Sequence, residues 1–407
     1  MLRALEVFQW KSFGKLSSHV PFARLTLLVG PNGSGKSNVL DALRFLQGLA
    51  LDLPLYEVLR GRWEGGREVW SGIRGGEAES AAMGSAGFSL RSRWDRVEPQ
   101  GLQHHVWVSR LKEVAVFAEG LFDDSNHYYF DTHAASLGES GGQLPGGAIR
   151  VAVRSKKSGR SATQVLSASR SVLSQIEYGE RVDKEVFVAR NAVRSSMREL
   201  LFFDLQPRAM RQASTIGAPS LGVAGENLSA ILHGMPEDLR ADLVDWLSEL
   251  CSPRVEGVTF EIAEHSKAVF FLLLENGGTK VSAASVSDGT LRFLGILAAL
   301  LSVPQGSTCV FEEPDTGLHP ARVHLLAELL QNITKQRGIQ VIATTHSPGM
   351  LAHLSDEALG DVVAFDRDAT TGCTVCKRAG DLPNFEVLRT SRERDHLFAT
   401  GWLERAV

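Results

Sequence analysis

A largely apolar stretch runs from Leu25 to Val29, a Gly-rich stretch follows, and beyond it Val39, Leu40, Leu43 and Leu46 recur at the spacing of one helical face. This predicts a strand, a tight loop and a helix from Lys36 to about Leu49, preceded by a strand from Ala4 to Phe8. The C-terminal part repeats the pattern. Apolar runs at Val269 to Leu274, Thr308 to Phe311 and Gln340 to Thr344 read as buried strands, a helix from Pro320 to Thr334 lies between the last two, and an apolar helix ends near Leu301. Helical periodicity also marks Lys184 to Leu201 and Leu239 to Leu250. Strands alternating with helices of this length predict an α/β chain with a largely parallel, doubly wound sheet.

Between about Leu53 and Leu200 the chain is rich in Gly, Ser and Arg, with short strand-like pieces such as His105 to Val108, His127 to Phe130 and Ile149 to Val153 between turn clusters. An antiparallel β subdomain inserted into the α/β unit is the expected outcome. The segment boundaries read as 1–205, a first lobe with the inserted region; 206–255, a helical segment; and 256–407, a second lobe. No repeat of 20 to 50 residues is visible and no heptad pattern is sustained, which argues against a long coiled-coil arm.

The 407 residues suffice for more than one structural unit, and 43 Lys+Arg against 47 Asp+Glu give a net charge of -4, so any nucleic-acid contact must be a local basic patch. Arg150, Arg154, Lys156, Lys157 and Arg160 form one candidate, although no aromatics are interleaved for base stacking and a solvated loop fits the same residues. Glu6 within the first apolar stretch and the absence of a basic region before a long apolar run argue against a signal peptide. The longest apolar runs, Val269 to Leu274 and Leu294 to Leu301, fall far short of the roughly 18 residues that span a bilayer. A cytoplasmic location without membrane contact is expected. Cys373 and Cys376 alternate on a strand-like segment, which sends them to opposite faces, so the pair reads as two unpaired thiols.

Four short motifs carry chemistry. Gly30-Pro31-Asn32-Gly33-Ser34-Gly35-Lys36-Ser37 follows a strand and opens a helix, the context in which backbone N–H groups and a helix N-terminus cradle phosphates. Lys36 would place a cation on the β- and γ-phosphates, and the Ser37 hydroxyl can ligate Mg2+. The strand Thr308 to Phe311 ends in Glu312 and Glu313, whose side chains diverge: one can hold the metal and the other polarise a water. Ser287-Asp288-Gly289-Thr290-Leu291 precedes an apolar helix, with Ser287 as N-cap and Gly289 permitting close backbone approach. Thr345-His346-Ser347-Pro348 follows the strand Gln340 to Thr344 and sets His346 at a carboxyl edge, where open α/β sheets bind ligands.

In this order the motifs resemble the set of the ABC ATPases: Walker A, signature, Walker B with D-loop, and switch histidine. The wording Ser287-Asp288-Gly289-Thr290-Leu291-Arg292, Glu312-Glu313-Pro314-Asp315-Thr316-Gly317-Leu318-His319-Pro320 and Thr345-His346-Ser347-Pro348 is similar to that of the RecF/SMC/OLD-like branch. The resemblance covers residues 1–48 and about 222–365, and it implies a P-loop NTPase head of ABC type with a mixed sheet core. It implies ATP and Mg2+ as cofactors, with Gly30, Asn32, Gly33, Ser34, Gly35, Lys36, Ser37 and Asn38 on the nucleotide; Ser37 and Glu312 on the metal; and Glu313, His346 and Lys36 as catalytic groups. It further implies a homodimer in which Ser287 and Gly289 of one copy meet the γ-phosphate held by the other, and Asp315 makes the D-loop contact. Gln175 is the expected Q-loop metal ligand. ABC proteins more often carry Asp at the position of Glu312 and Ser-Gly-Gly at Ser287-Asp288-Gly289. Full-length OLD nucleases add a Toprim domain, whereas about 40 residues follow Phe365 here, so intrinsic nuclease activity is not expected. The implied role is an ATP-dependent dimerisation switch in DNA repair or anti-phage defence, with DNA and a separately encoded nuclease or toxin as partners. A transporter's nucleotide-binding subunit or a non-hydrolysing scaffold or toxin regulator are the alternatives. The spacing from Ser37 to Ser287, about twice that of transporter subunits, weighs against the former.

Overall fold

The computed structural model describes residues 1–95, 101–111, 113–133, 143–156, 161–177, 179, 181–263, 265–383, 385–391, 394–401 and 403. Among them, two large sheets divide the architecture. The first has six strands, in the order Leu200–Phe203, Thr308–Phe311, Gln340–Thr345, Leu25–Val29, Val363–Arg367 and Thr374–Arg378. Five run parallel and the last is antiparallel, so the core sheet is mixed.

Every residue of Leu25–Val29 is buried, because both faces of this sheet are covered. Alternation along a strand sends neighbours to opposite faces. Leu25, Leu27 and Val29, with Cys309, Phe311, Val341 and Ala343, join a core shared with Leu291, Leu294, Leu326 and Leu330 of helices Asp288–Ser302 and Val323–Gln336. Leu28, Val310, Ile342 and Phe365 join a second core with Val39, Leu43 and Leu46 of helix Lys36–Ala50.

The second sheet has nine strands and only antiparallel pairings. Along its length the order is Gln143–Leu144, Ala148–Arg154, Tyr128–Asp131, Ala115–Phe122, Leu102–Ser109, Gly87–Trp94, Leu2–Phe8 and Ser18–Pro21, with Ser161–Ser167 also paired to Ala148–Arg154. Its inner face shows in Phe88, Leu90, Ser92 and Trp94, all buried, while Arg91 and Arg93 between them are exposed. Trp10 and Phe88 meet at a centroid distance of 4.7 Å and Phe88 and Phe45 at 5.3 Å, clamping the sheet to helix Lys36–Ala50. The buried Gln340 amide joins the two sheets: its Oε1 accepts from the Leu2 N–H and its Nε2 donates to the Leu2 and Ala23 carbonyls.

Three expectations need correction. The run at Val269 to Leu274 is part of strand Ala268–Glu275, but this strand lies in a separate antiparallel sheet between Val255–Ala263 and the short strands Ser214–Thr215 and Lys280–Ser282. One of its faces is partly open, and Phe270 is 42% exposed. The helix starting at Lys184 ends at Arg198, and Leu200–Phe203 becomes a strand of the parallel sheet beside Thr308–Phe311. A helical stripe running directly into an apolar strand leaves no polar break at the junction. The strands of the middle region, finally, are longer than the short pieces expected, at seven or eight residues in Gly87–Trp94, Leu102–Ser109, Ala115–Phe122, Ala148–Arg154 and Ser161–Ser167. Among the described residues no helix is long and apolar enough to cross a membrane.

Candidate active site

Parallel strands put their C-terminal ends on one edge, and the motifs collect there. The loop between strand Leu25–Val29 and helix Lys36–Ala50 has positive φ at Gly30 (144°), Gly33 (80°) and Gly35 (110°), values that side chains with a Cβ rarely adopt. A Cβ on Gly30 would lie 2.2 Å from the Phe365 carbonyl oxygen and one on Gly35 2.3 Å from Thr374 Oγ1, so the loop is wedged against the neighbouring strands as well as curled. Thr374 Oγ1 donates to the Ser34 carbonyl at 2.8 Å, and Arg367 Nε donates to the Gly33 carbonyl at 2.7 Å. Asn38 is turned away from the loop mouth, its Nδ2 donating to Ser12 Oγ at 2.6 Å, while Asn32 is exposed at the loop tip. The Lys36 ammonium folds back onto the Gly30 and Pro31 carbonyls, 2.7 and 2.9 Å away. A flexible cation held by two carbonyls of its own loop is ready to exchange them for phosphate oxygens.

Ser37 Oγ lies 3.0 Å from Glu312 Oε1, joining the start of the helix to the end of strand Thr308–Phe311. Octahedral Mg2+ with oxygen ligands at 2.0–2.1 Å sets neighbouring ligands about 3 Å apart, so this pair fits two corners of such a shell. Among the described residues no cluster of three or more His, Cys, Asp or Glu side chains could hold a metal. A hydroxyl and one carboxylate suit an ion that takes its remaining ligands from phosphate and water. The sequence reading missed Arg74. Its Nη1 donates to Glu312 Oε1 at 2.7 Å, its Nη2 to the Ser37 carbonyl, and its Nε to both oxygens of Asp41 at 3.1 and 3.3 Å. Asp41, one turn beyond Ser37 and buried, also receives Lys11 Nζ at 2.5 Å. Burial disfavours the Arg74 charge, but Asp41 and Glu312 outweigh it and hold the guanidinium above its ordinary range. Neither the Gly-rich surroundings of Arg74 nor any local motif marks it in the sequence.

Glu313 has a backbone φ of +45°, a left-handed conformation costing about 1–3 kcal/mol in a residue other than glycine. The strain is held in place by the Glu313 N–H donating to Thr344 Oγ1 at 3.0 Å and by Thr316 Oγ1 donating to Glu313 Oε2 at 3.2 Å. It aims the carboxylate away from Glu312 and sets Oε1 3.3 Å from His346 Nε2. Both side chains are partly open to solvent. Asp315 Oδ2 accepts from Thr345 Oγ1 at 2.9 Å, while its buried Oδ1 has no protein partner, and burial raises this carboxyl above the usual range.

Ser287 caps helix Asp288–Ser302 through its Oγ, which accepts from the Thr290 N–H at 3.2 Å. Asp288 pairs with Arg211 at 2.6 Å. A Cβ on Gly289 would meet the Gly317 carbonyl oxygen at 2.5 Å, so glycine is required for this helix to seat against the turn after Asp315. The start of helix Asp288–Ser302 and the turn after Asp315 are thereby one mechanical unit within the chain.

The sequence matches the family described as "AAA domain, putative AbiEii toxin, Type IV TA system" over residues 25–93 and 108–352, and the "P-loop containing region of AAA domain" over residues 2–47. The chain belongs to this AAA domain family. It is therefore a P-loop ATPase, which binds and hydrolyses ATP. The fold is that of an SMC head: a crystal structure of the SmcHead bound to the C-winged helix domain of ScpA superposes with a TM-score of 0.50 at 15% identity, over 92% of this chain and 96% of that one. Local similarity is higher. Structural maintenance of chromosomes protein 1 of Caenorhabditis elegans is 47% identical over 47 residues, and the chromosome partition protein Smc of Methanocaldococcus jannaschii 51% over 47, in each case 12% of this chain and 4% of the relative. The matched stretch thus covers a small fraction of these curated relatives.

Two residues singled out in the sequence sit elsewhere in this AAA domain. Gln175 is placed at the far end of helix Lys36–Ala50 from Ser37, where the neighbouring Ser174 Oγ donates to Asp52 at 2.7 Å. Its amide is spent locally: Nε2 donates to the Ser167, Arg170 and Ser171 carbonyls, and Oε1 accepts from the Ser167 N–H. A side chain so engaged cannot reach a metal at Ser37, and the expectation is corrected. In the basic cluster, Arg154 pairs with Asp183 and Glu185 and lies 4.4 Å above the Tyr129 ring. Its charge is thus neutralised within the fold, while Lys157 and Arg160 lie outside the described residues.

Proposed function

We propose that this ATPase is a dimerisation switch in which one ATP is gripped by the Lys36 loop of one copy and by Ser287 and Gly289 of a second. Supporting this reading, the exposed Ser287 lines a cleft of about 870 Å3 with Gly289, Thr290, Gly317 and Arg322, and no residue of the Gly30–Ser37 loop contributes to its walls. Half of the nucleotide's contacts then wait on a different face from the other half, and a second copy brings them together. ATP that binds only the closed pair shifts the population toward it by its differential affinity.

Within each half-site Ser37 and Glu312 would hold Mg2+, which would supply positive charge against the phosphates. Lys36 exchanges the Gly30 and Pro31 carbonyls for phosphate oxygens. Glu313 takes the proton of the attacking water, and His346 beside it senses the γ-phosphate. Asp315 reaches the partner copy from the turn that also seats the signature helix. The 3.3 Å approach of His346 to Glu313 favours hydrolysis over a purely static scaffold. The names of the locally similar Smc proteins make DNA the first effector to examine, and the family description, which names a putative toxin of a type IV TA system, makes a toxin system the first setting in which to look for an output; ATP turnover with and without duplex and single-stranded DNA tests the former.

The decisive experiment is Glu313→Gln. It keeps nucleotide binding, lowers phosphate release roughly 100- to 10,000-fold, and in Mg-ATP elutes as a dimer in size exclusion with light scattering. A monomer under those conditions, or unimpaired turnover, refutes the reading.

A further inference from the structure

We propose that Arg74 is a built-in stand-in for the metal: its guanidinium occupies the cation position between Ser37 and Glu312 in the resting protein and must withdraw before a divalent cation can enter. The inference rests on the assignment of Ser37 and Glu312 to the metal. Arg74 Nη1 is bonded to the same oxygen, Glu312 Oε1, that faces Ser37 Oγ, and its Nη2 closes over the Ser37 carbonyl. A guanidinium offers donors and no lone pair, so it can never share this position as a metal ligand; it can only compete for it. The competition is between a cation already tethered and one that must shed water.

The retreat is prepared. The side chain of Arg74 is 48% exposed, so its head can leave without displacing packed atoms, and it borders a cavity of about 390 Å3 that Asp41, Arg44 and Glu312 also line. Nε can keep both Asp41 oxygens while Nη1 and Nη2 let go, because Asp41 sits one turn further along the helix. The backbone is anchored independently: the Arg74 carbonyl accepts from Lys11 Nζ at 2.6 Å, and the same ammonium binds Asp41. Lys11, Asp41 and Arg74 thus form a pivot, and Glu312 is what the moving end releases.

Two consequences follow. The acids Asp41 and Glu312 are neutralised when no metal is present, which keeps the loop formed between turnovers. A divalent cation alone gains only Ser37 and Glu312 and loses to Arg74, whereas one carrying phosphate oxygens brings further ligands and wins. Metal entry is thereby tied to nucleotide entry.

Mn2+ binding measured by electron paramagnetic resonance, without nucleotide, tests this on the full chain. Wild type is expected to leave Mn2+ largely free, and Arg74→Gln to bind one ion roughly 10- to 100-fold more tightly, the range for a hydrogen bond to a charged group. Adding Glu312→Gln to that variant should remove the gain. Arg74→Lys, whose single ammonium cannot span Glu312 and the Ser37 carbonyl together, should fall between wild type and Arg74→Gln, and it carries the test should the glutamine variant fail to fold. Equal Mn2+ affinity in wild type and the Arg74 variants overturns the stand-in. A gain that survives Glu312→Gln overturns it too, by locating the ion elsewhere. Neither result depends on dimer formation, so the Glu313→Gln outcome is read separately.

Discussion

Glu119 and Glu313 are both carboxylates positioned by a sheet, one within a strand and one beyond a strand's end, and they are used in opposite ways. Glu119, in the antiparallel sheet, is 1% exposed and fully engaged: Oε1 accepts from Ser171 Oγ at 2.6 Å and the Leu173 N–H at 3.0 Å, Oε2 from the Val172 N–H at 2.7 Å, and His104 Nε2 lies 2.9 Å from Oε1. Glu313, past the end of a parallel strand, stands on a strained backbone with its carboxylate 45% exposed. The difference follows from strand direction. Antiparallel strands lie side by side with a helix start packed on their inner face, and Glu119 fastens these together, joining His104 of the next strand to Ser171, Val172 and Leu173 at the start of helix Val172–Gln175. Parallel strands deliver their ends to one edge, where the next segment must leave across open space, and groups there remain available to a ligand.

Removing each kind of group should therefore fail differently. Glu119→Ala strands the His104 ring, the Ser171 hydroxyl and two N–H groups in the core, and should cost about 3–5 kcal/mol of unfolding free energy, read from the urea midpoint; the variant should still bind nucleotide wherever it is folded. A loss below about 1 kcal/mol would mean that water reaches this node. Lys36→Ala is the mirror case. Nucleotide affinity should fall roughly 100- to 1,000-fold, as expected when one partner of a desolvated charged pair is truncated, measured by calorimetry, while the antiparallel sheet is unaffected. Retained affinity would place the phosphates elsewhere.

The same contrast explains what could be read from the chain beforehand. Parallel strands buried on both faces appear as largely apolar runs, and Leu25–Val29, Thr308–Phe311 and Gln340–Thr345 stand where those runs lie. The phosphate loop is legible because its glycines are local requirements of its own φ values. Gly87–Trp94 does alternate, but its buried positions include Ser92 and its outward ones Arg91 and Arg93, which reads as a polar stretch until the partner strands are known. Leu200–Phe203 was hidden because it extends a helical stripe. At the site, residues bound by contiguous motif were visible, whereas Arg74, 238 positions from Glu312, and Asp41 enter only through folding. Gln175 shows the converse: a residue of the right type whose amide is consumed by its own loop.

The smallest expected effect lies on the outer face of the antiparallel sheet. His105 sits directly across from Arg91, with His104 and His133 nearby, and burial first, then the Arg91 charge, push its pKa from 6.5 down to about 4 despite the opposing pull of Glu119. Its folded value is depressed, so between these limits the unfolded chain binds the proton that the folded chain refuses. The stabilisation is complete above pH 6.5 and is lost as pH falls toward 4. Urea midpoints taken at pH 7.5, 6 and 5 should decline for the wild type, and His105→Asn should flatten the decline while leaving nucleotide affinity at pH 7.5 unchanged. Parallel curves for the two proteins would show that the ring is hydrated in solution, and that the open face of this sheet is less tightly packed than its inner one.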